Sequence, residues 1–229
     1  MAEGMNELQI LFQEKLNTGT AWTRNEFFDK NGYLVIKDLW DAEELYHPVP
    51  QEKGQYNYWD KNPENFNHVP VEQQVEGSTS RYWHPQYRAI HSGIRMKLEE
   101  IIGRKLYNTY YYDRFYFPGQ ELTRHADRDA CEISVSVHVS TNLKGEDAKW
   151  PFWIKTPSGE ERSLSLEPGD GLLYKGCERP HWRNPMPGTR KRDKIPFFKN
   201  GNSLYYHQIF FHYVLQDGQR AHCAWDRAR

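Results

Sequence analysis

The periodicity of apolar positions changes near residue 105. Before that point the strongest apolar patterns have helical spacing, and after it apolar and polar positions mostly alternate. Leu8, Leu11, Phe12 and Leu16 share one face of a predicted helix over 6–16. Thr23-Arg-Asn-Glu26 is a capping box ahead of Phe27 and Phe28, and Asn31-Gly32 ends that short helix. Residues 33–37 read as a strand, and Asp41 opens another short helix. The clearest helix covers 85–102. Ile90, Ile94, Leu98, Ile101 and Ile102 form its stripe and Gly103 its stop.

From 106 onward the chain reads as strands. Over 106–117, Asn108, Tyr110, Tyr112, Arg114 and Tyr116 share one face. Over 132–140, Ile133, Val135, Val137 and Val139 face one way, with Ser134, Ser136 and His138 the other. Segments 149–156, 162–166 and 171–174 follow, joined by Pro-Ser-Gly and Pro-Gly-Asp turns, and 204–215 is the last strong strand. Residues 47–82 carry no such pattern. Pro, Gly, Asn and Gln are interspersed there with Tyr56, Tyr58, Trp59 and Phe66, which suits either a lid over a binding site or an irregular surface excursion.

Helices first and six to eight strands afterwards predict a mainly β fold: a double-stranded β-helix (jelly roll, cupin-like) with an N-terminal helical layer. The expected division is a single domain over 1–229. Residues 1–105 would supply the helical layer, first strand and long loop, 106–216 the jelly-roll core, and 217–229 a tail. At 229 residues such a chain can bury a core without staples. The formal net charge of -1 gives no reason to expect nucleic acid or an acidic membrane as partner. Three Cys (Cys131, Cys177, Cys223) with no Cys-x-x-Cys argue against a disulfide framework or structural zinc, and for a reducing, cytoplasmic setting. The start shows no signal peptide, and no apolar run approaches membrane-spanning length.

The chemistry concentrates between Arg114 and Ser140. A tyrosine-bearing strand enters a Pro-Gly turn, a short segment delivers His125 and Asp127, and an apolar strand follows. Ligands at i and i+2 on extended backbone project to one side, so this imidazole and carboxylate can take adjacent positions on a metal. His181, 56 residues past His125 at the head of another strand, is the candidate third ligand. Two His and one carboxylate with the remaining positions open is the ligand set of non-haem Fe(II) oxygenases.

These segments resemble the Fe(II)/2-oxoglutarate-dependent dioxygenase superfamily near its prolyl-hydroxylase-like branch. The resemblance spans about 32–214. Its parts are Asn31-Gly-Tyr-Leu-Val-Ile, then Tyr116-x-Pro-Gly-x-x-Leu-x-x-His125-x-Asp127, and Gly169-Asp-Gly-Leu-Leu-Tyr followed by His181. Asp127-Arg128, Cys131-Glu-Ile-Ser, His181-Trp-Arg and His207-Gln-Ile-Phe-Phe-His-Tyr are similar to an uncharacterised bacterial or phage group within it. The resemblance implies Fe(II) on His125, Asp127 and His181, and 2-oxoglutarate and dioxygen as cosubstrates, with ascorbate as auxiliary reductant. It further implies hydroxylation of an aliphatic carbon in a prolyl, other peptide or small-molecule substrate. In that superfamily an Arg or Lys on the last strand often meets the far carboxylate of 2-oxoglutarate; here that strand has neither. Arg114 is the first replacement, Arg183 the second and Arg190 the third, with Tyr116 and Gln208 contributing polar contacts. Arg114 could instead serve a structural ion pair, with Asp113 or another neighbour.

Arg128 reads as a partner orienting Asp127, and Cys131 and Cys177 as small buried apolar groups. The basic segment 190–199, with Phe197 and Phe198, is either a solvated loop or a flap over the site. Two other function classes stay open: a cupin-type metalloenzyme without 2-oxoglutarate, and a non-catalytic binding module on the same fold.

Overall fold

The computed structural model describes residues 24–58, 66–188 and 204–226. The expected helix over 6–16, the cap residue Thr23, Trp59 and the basic segment 190–199 lie outside the described residues.

Two sheets face each other, as the alternation predicts. The larger has eight strands in the order β1-β10-β7-β12-β5-β4-β2-β3, and the smaller four in the order β6-β11-β8-β9. In chain order the elements are α1 (Arg24–Asn31), β1 (Tyr33–Ile36), α2 (Ala42–Leu45), β2 (Gly54–Tyr58), β3 (Phe66–Val69) and β4 (Thr79–Tyr82). Then come α3 (Arg88–Ile102), β5 (Leu106–Tyr116), β6 (Leu122–His125), β7 (Ile133–Thr141), β8 (Phe152–Lys155) and β9 (Glu161–Leu164). β10 (Gly171–Tyr174), β11 (His181–Arg183) and β12 (Tyr206–Leu215) complete the jelly roll.

The helical layer packs on one face of the large sheet. On α3, Ile90, Ile94, Leu98 and Ile102 are buried, meeting Phe28, Tyr111, Phe211 and Tyr213. Truncating a buried Leu such as Leu98 to Ala costs about 2–5 kcal/mol. The helix ends where predicted because Gly103 takes φ +66°, a left-handed conformation that lets its N–H reach the Glu99 carbonyl at 2.9 Å. The Asp41 carboxylate caps α2 through the Glu43 N–H at 2.9 Å.

The described parts of 47–82 are more regular than their composition suggests. β2, β3 and β4 extend the large sheet, with β2 and β4 paired in parallel. Between β3 and β4, Glu72 caps its own turn by accepting from the Gln74 and Val75 N–H groups at 2.9 and 2.6 Å. Val75 packs with Tyr110, Tyr112, Tyr116 and Leu122, so this turn closes over the interior of the roll.

That interior is where the polar side of the alternation points. Ser134, Ser136 and His138 on β7 are buried, as are Tyr206, Gln208 and His212 on β12. β5 lies in register beside β12, with Gln208 opposite Arg114 and Tyr206 opposite Tyr116. A buried surface so rich in hydroxyl, amide and imidazole groups is costly unless those groups are satisfied or used.

Candidate metal centre

β6 and β11 pair antiparallel with His125 directly opposite His181. The two rings lie 4.4 Å apart between centroids. Asp127 sits just beyond β6, where its N–H donates to the Gly176 carbonyl at 3.0 Å. Its Oδ1 is 3.4 Å from His125 Nε2 and 3.5 Å from His181 Nε2. One ligand atom from each of the three residues lies within 4.8 Å of the others.

The donor chemistry fits a divalent cation. His125 Nδ1 is 2.8 Å from the Thr123 carbonyl and His181 Nδ1 is 2.9 Å from the Arg179 carbonyl. Each carbonyl can only accept, so each Nδ1 carries a proton and each Nε2 faces Asp127, donating to the carboxylate when protonated or offering a lone pair to a metal in the proton's place. Burial opposes ionisation of Asp127, but hydrogen bonds to the two imidazoles outweigh it and hold its carboxyl well below the usual range. For His125 burial acts downward, but the Asp127 carboxylate overcomes it and raises its pKa.

Gly176 backs the carboxylate. A Cβ there would stand 2.3 Å from the Cys131 carbonyl oxygen, 2.5 Å from Asp127 Oδ2 and 2.8 Å from Ser134 Oγ. The sequence shows only a Lys-Gly-Cys turn at this point, which carries no signal for the role of Gly176. Cys131 is buried with Sγ 3.2 Å from the Tyr110 hydroxyl, and Cys177 is half-buried with its Sγ 3.2 Å from the Arg128 carbonyl. All three cysteines are free thiols. No hydrogen bond or ion pair joins Arg128 to Asp127 among the described residues, where the sequence predicts an orienting contact. Arg128 pairs with Asp226 and lies 4.5 Å over the Tyr110 ring.

The four expected cosubstrate residues occupy the same interior but differ in commitment. Arg114 is fully buried and bonded to the equally buried Glu72 at 2.9 Å, with its Nη1 3.4 Å from the Tyr116 hydroxyl. Glu72 is not predictable from the sequence, because a single Glu in a polar stretch carries no signal. Asp113, the partner weighed for Arg114, lies on the opposite face and binds Arg81 and His207 instead. Arg183 projects inward two residues after His181. Its Nη1 donates to the Trp150 carbonyl at 2.6 Å, and its guanidinium lies over Trp150 at 4.5 Å and Tyr206 at 4.8 Å. Its Nε and Nη2 are buried and have no hydrogen-bond partner among the described residues. The same holds for the Tyr206 hydroxyl and for Nε2 of His138, whose ring stacks on Tyr206 at 4.2 Å. Gln208 bonds Ser136 through its amide nitrogen and leaves Oε1 buried and unpartnered among the described residues. Arg190 lies outside the described residues.

No family model matches the chain, and no curated protein matches it by sequence. Solved structures do. A Pseudomonas putida prolyl-4-hydroxylase aligns with TM-score 0.53 and 15% identity over 81% of this chain and 95% of that one. A Trichoplax adhaerens prolyl hydroxylase, in complex with a hypoxia-inducible-factor peptide fragment, aligns with TM-score 0.55 and 14% identity over 92% and 94%. A Burkholderia pseudomallei oxidoreductase of the 2OG-Fe(II) oxygenase family aligns at 0.53 and 10% over 90% and 93%. The chain therefore has the double-stranded β-helix fold of these proteins.

Proposed function

We propose that the protein is an Fe(II)/2-oxoglutarate-dependent oxygenase that hydroxylates an aliphatic carbon of a peptide or small-molecule substrate. The observation that carries this reading is the convergence of two imidazole Nε2 atoms and one carboxylate oxygen at 3.4–3.5 Å, on the fold shared with such oxygenases. His125, Asp127 and His181 would hold the metal on one face, leaving its remaining positions to cosubstrate and dioxygen. When bound, ferrous iron supplies oxygen activation coupled to conversion of 2-oxoglutarate to succinate and carbon dioxide.

The chain's own share is orientation and exclusion of water. We assign the far carboxylate of 2-oxoglutarate to Arg183, with Tyr206 and His138 completing its surroundings and Gln208 alongside. Arg183 keeps two buried donor nitrogens without a partner among the described residues, two residues from His181, whereas Arg114 is already neutralised by Glu72. Tyr116 then acts beside Arg114 rather than on the cosubstrate. The Glu72 turn and the rings of Tyr82, Tyr112 and Phe210, stacked at 4.7 Å steps, would wall the substrate side. Three free thiols fit a reducing, cytoplasmic setting. Among the described residues no helix is long and apolar enough to cross a membrane.

The test is anaerobic titration of Fe(II), then of 2-oxoglutarate, followed by admission of oxygen with ascorbate. The reading requires 2-oxoglutarate binding and at least slow succinate formation without substrate. Protein that binds iron yet neither binds nor consumes 2-oxoglutarate would return the cupin-type alternative.

A further inference from the structure

We propose that Ser134 and His212 form a hydrogen-bond relay that positions Asp127, holding one carboxylate oxygen so that the other alone meets the metal. This rests on the reading of His125, Asp127 and His181 as the metal ligands. Asp127 Oδ1 faces the two imidazoles, while Oδ2 faces away and lies 3.3 Å from Ser134 Oγ. Ser134 is directly opposite His212 on the neighbouring strand β12, and its Oγ is 2.9 Å from His212 Nδ1.

The proton count selects one arrangement. Ser134 has a single hydroxyl hydrogen, and three acceptors compete for it: Asp127 Oδ2, the Cys131 carbonyl oxygen at 3.1 Å and an unprotonated His212 Nδ1, while the neighbouring Tyr174 hydroxyl carries a hydrogen of its own. With the His212 proton on Nε2, the hydroxyl would have to donate to Nδ1. Asp127 Oδ2 would then face a lone pair, and a buried N–H would be left with no acceptor among the described residues. With the proton on Nδ1, the imidazole donates to Oγ and the hydroxyl hydrogen is free for the carboxylate. An ionised acceptor is preferred over a neutral carbonyl, so the relay runs from His212 through Ser134 to Asp127. His212 is itself fixed. Its ring lies 4.5 Å from Tyr110, and its carbonyl sits 3.1 Å from His91 Nε2 on α3.

The hydroxyl fixes the rotation of the carboxylate so that Oδ1, and not Oδ2, is directed at the metal position. Asp127 then binds through one oxygen, and a coordination position stays open that a two-oxygen grip would fill. Ser134 and His212 are positioning residues, since neither needs to touch metal or substrate.

The test uses Co(II) as probe on the full-length protein, with its affinity read by calorimetry and its coordination number by the intensity of its visible bands. Ser134→Ala and His212→Leu should weaken Co(II) binding about 10- to 100-fold and move the bands toward the weaker intensity of higher coordination. His212→Asn, which keeps an N–H where Nδ1 stood, should bind within about three-fold of the unaltered protein. Melting temperatures of the metal-free variants report folding separately. Wild-type affinity and bands in Ser134→Ala overturn the relay, as does a His212→Asn variant that melts normally yet binds as weakly as His212→Leu. If the unaltered protein fails to bind Co(II), it is the metal-ligand reading that falls.

Discussion

His125 and His181 stand opposite one another on adjacent antiparallel strands, each with Nδ1 on a backbone carbonyl and Nε2 toward Asp127. Main-chain geometry thus fixes a proton on each Nδ1, so under the proposed function little order would remain to be imposed when a metal binds. Removing either ring should leave too few ligands. His181→Ala is expected to lose iron retention on gel filtration while its far-ultraviolet dichroism is unchanged. Retention of stoichiometric iron by that variant would remove His181 from the ligand set.

Arg183 and Arg114 should respond differently to removal of charge. Arg183→Met is expected to weaken 2-oxoglutarate binding by about 10- to 1,000-fold, the loss of a buried charge-assisted pair. Metal affinity should hold. Arg114→Met should instead destabilise the protein by about 3–5 kcal/mol by leaving Glu72 buried and unpaired, and the double variant with Glu72→Leu should recover much of that. Calorimetric titration and denaturant unfolding separate the outcomes. Normal 2-oxoglutarate affinity in Arg183→Met would hand the role back to Arg114 or to Arg190.

Gly176→Ala tests how closely the Asp127 carboxylate is backed. The added methyl would overlap the Cys131 carbonyl, so backbone must move, and Asp127 with it. Metal affinity should fall at least ~10-fold, with a stability loss of about 1–3 kcal/mol from overpacking. Unchanged metal binding would mean that the 127–131 turn yields more readily than its contacts suggest.

Acid should act on this protein earlier than carboxylate titration alone would allow. Burial pushes His91 and His138 down to about 3 and His212 down to about 4. Their unfolded-state value is near 6.5. The depressed folded pKa means the unfolded chain binds protons first as pH falls, so stability is full above about 6.5 and declines from there toward about 3–4. Each histidine contributes up to about 1.4 kcal/mol per pH unit within that window. Metal-free melting temperature should therefore drop between pH 6.5 and 4.5, and His91→Gln, which keeps a donor for the His212 carbonyl, should flatten the decline. A melting temperature constant over that range would refute the assignment.

Much of this was legible from one dimension. The 3.6-residue stripe of Ile90, Ile94, Leu98 and Ile102 names a helix and its buried face, and the alternation of 133–139 names a strand and both its faces. The candidate pair His125 and Asp127, with His181 at the head of a later strand, could be singled out because residue spacing and turn chemistry are local, and the pairing of β6 with β11 brings the three together. What could not be read depends on register between distant strands. Nothing near Glu72 announces that it will neutralise Arg114, 42 residues on, and thereby leave Arg183 as the cation with donors to spare. Nothing near Ser134 announces His212, 78 residues away and directly across the sheet. Likewise β2, β3 and β4 form because an existing edge of β5 offers unpaired N–H and C=O groups, not because 47–82 has a strong pattern of its own. Local periodicity determined which residues are strands and which faces turn inward. Only the closing of the sheets decided which charges cancel and which remain available, because cancellation depends on distance in space and not along the chain.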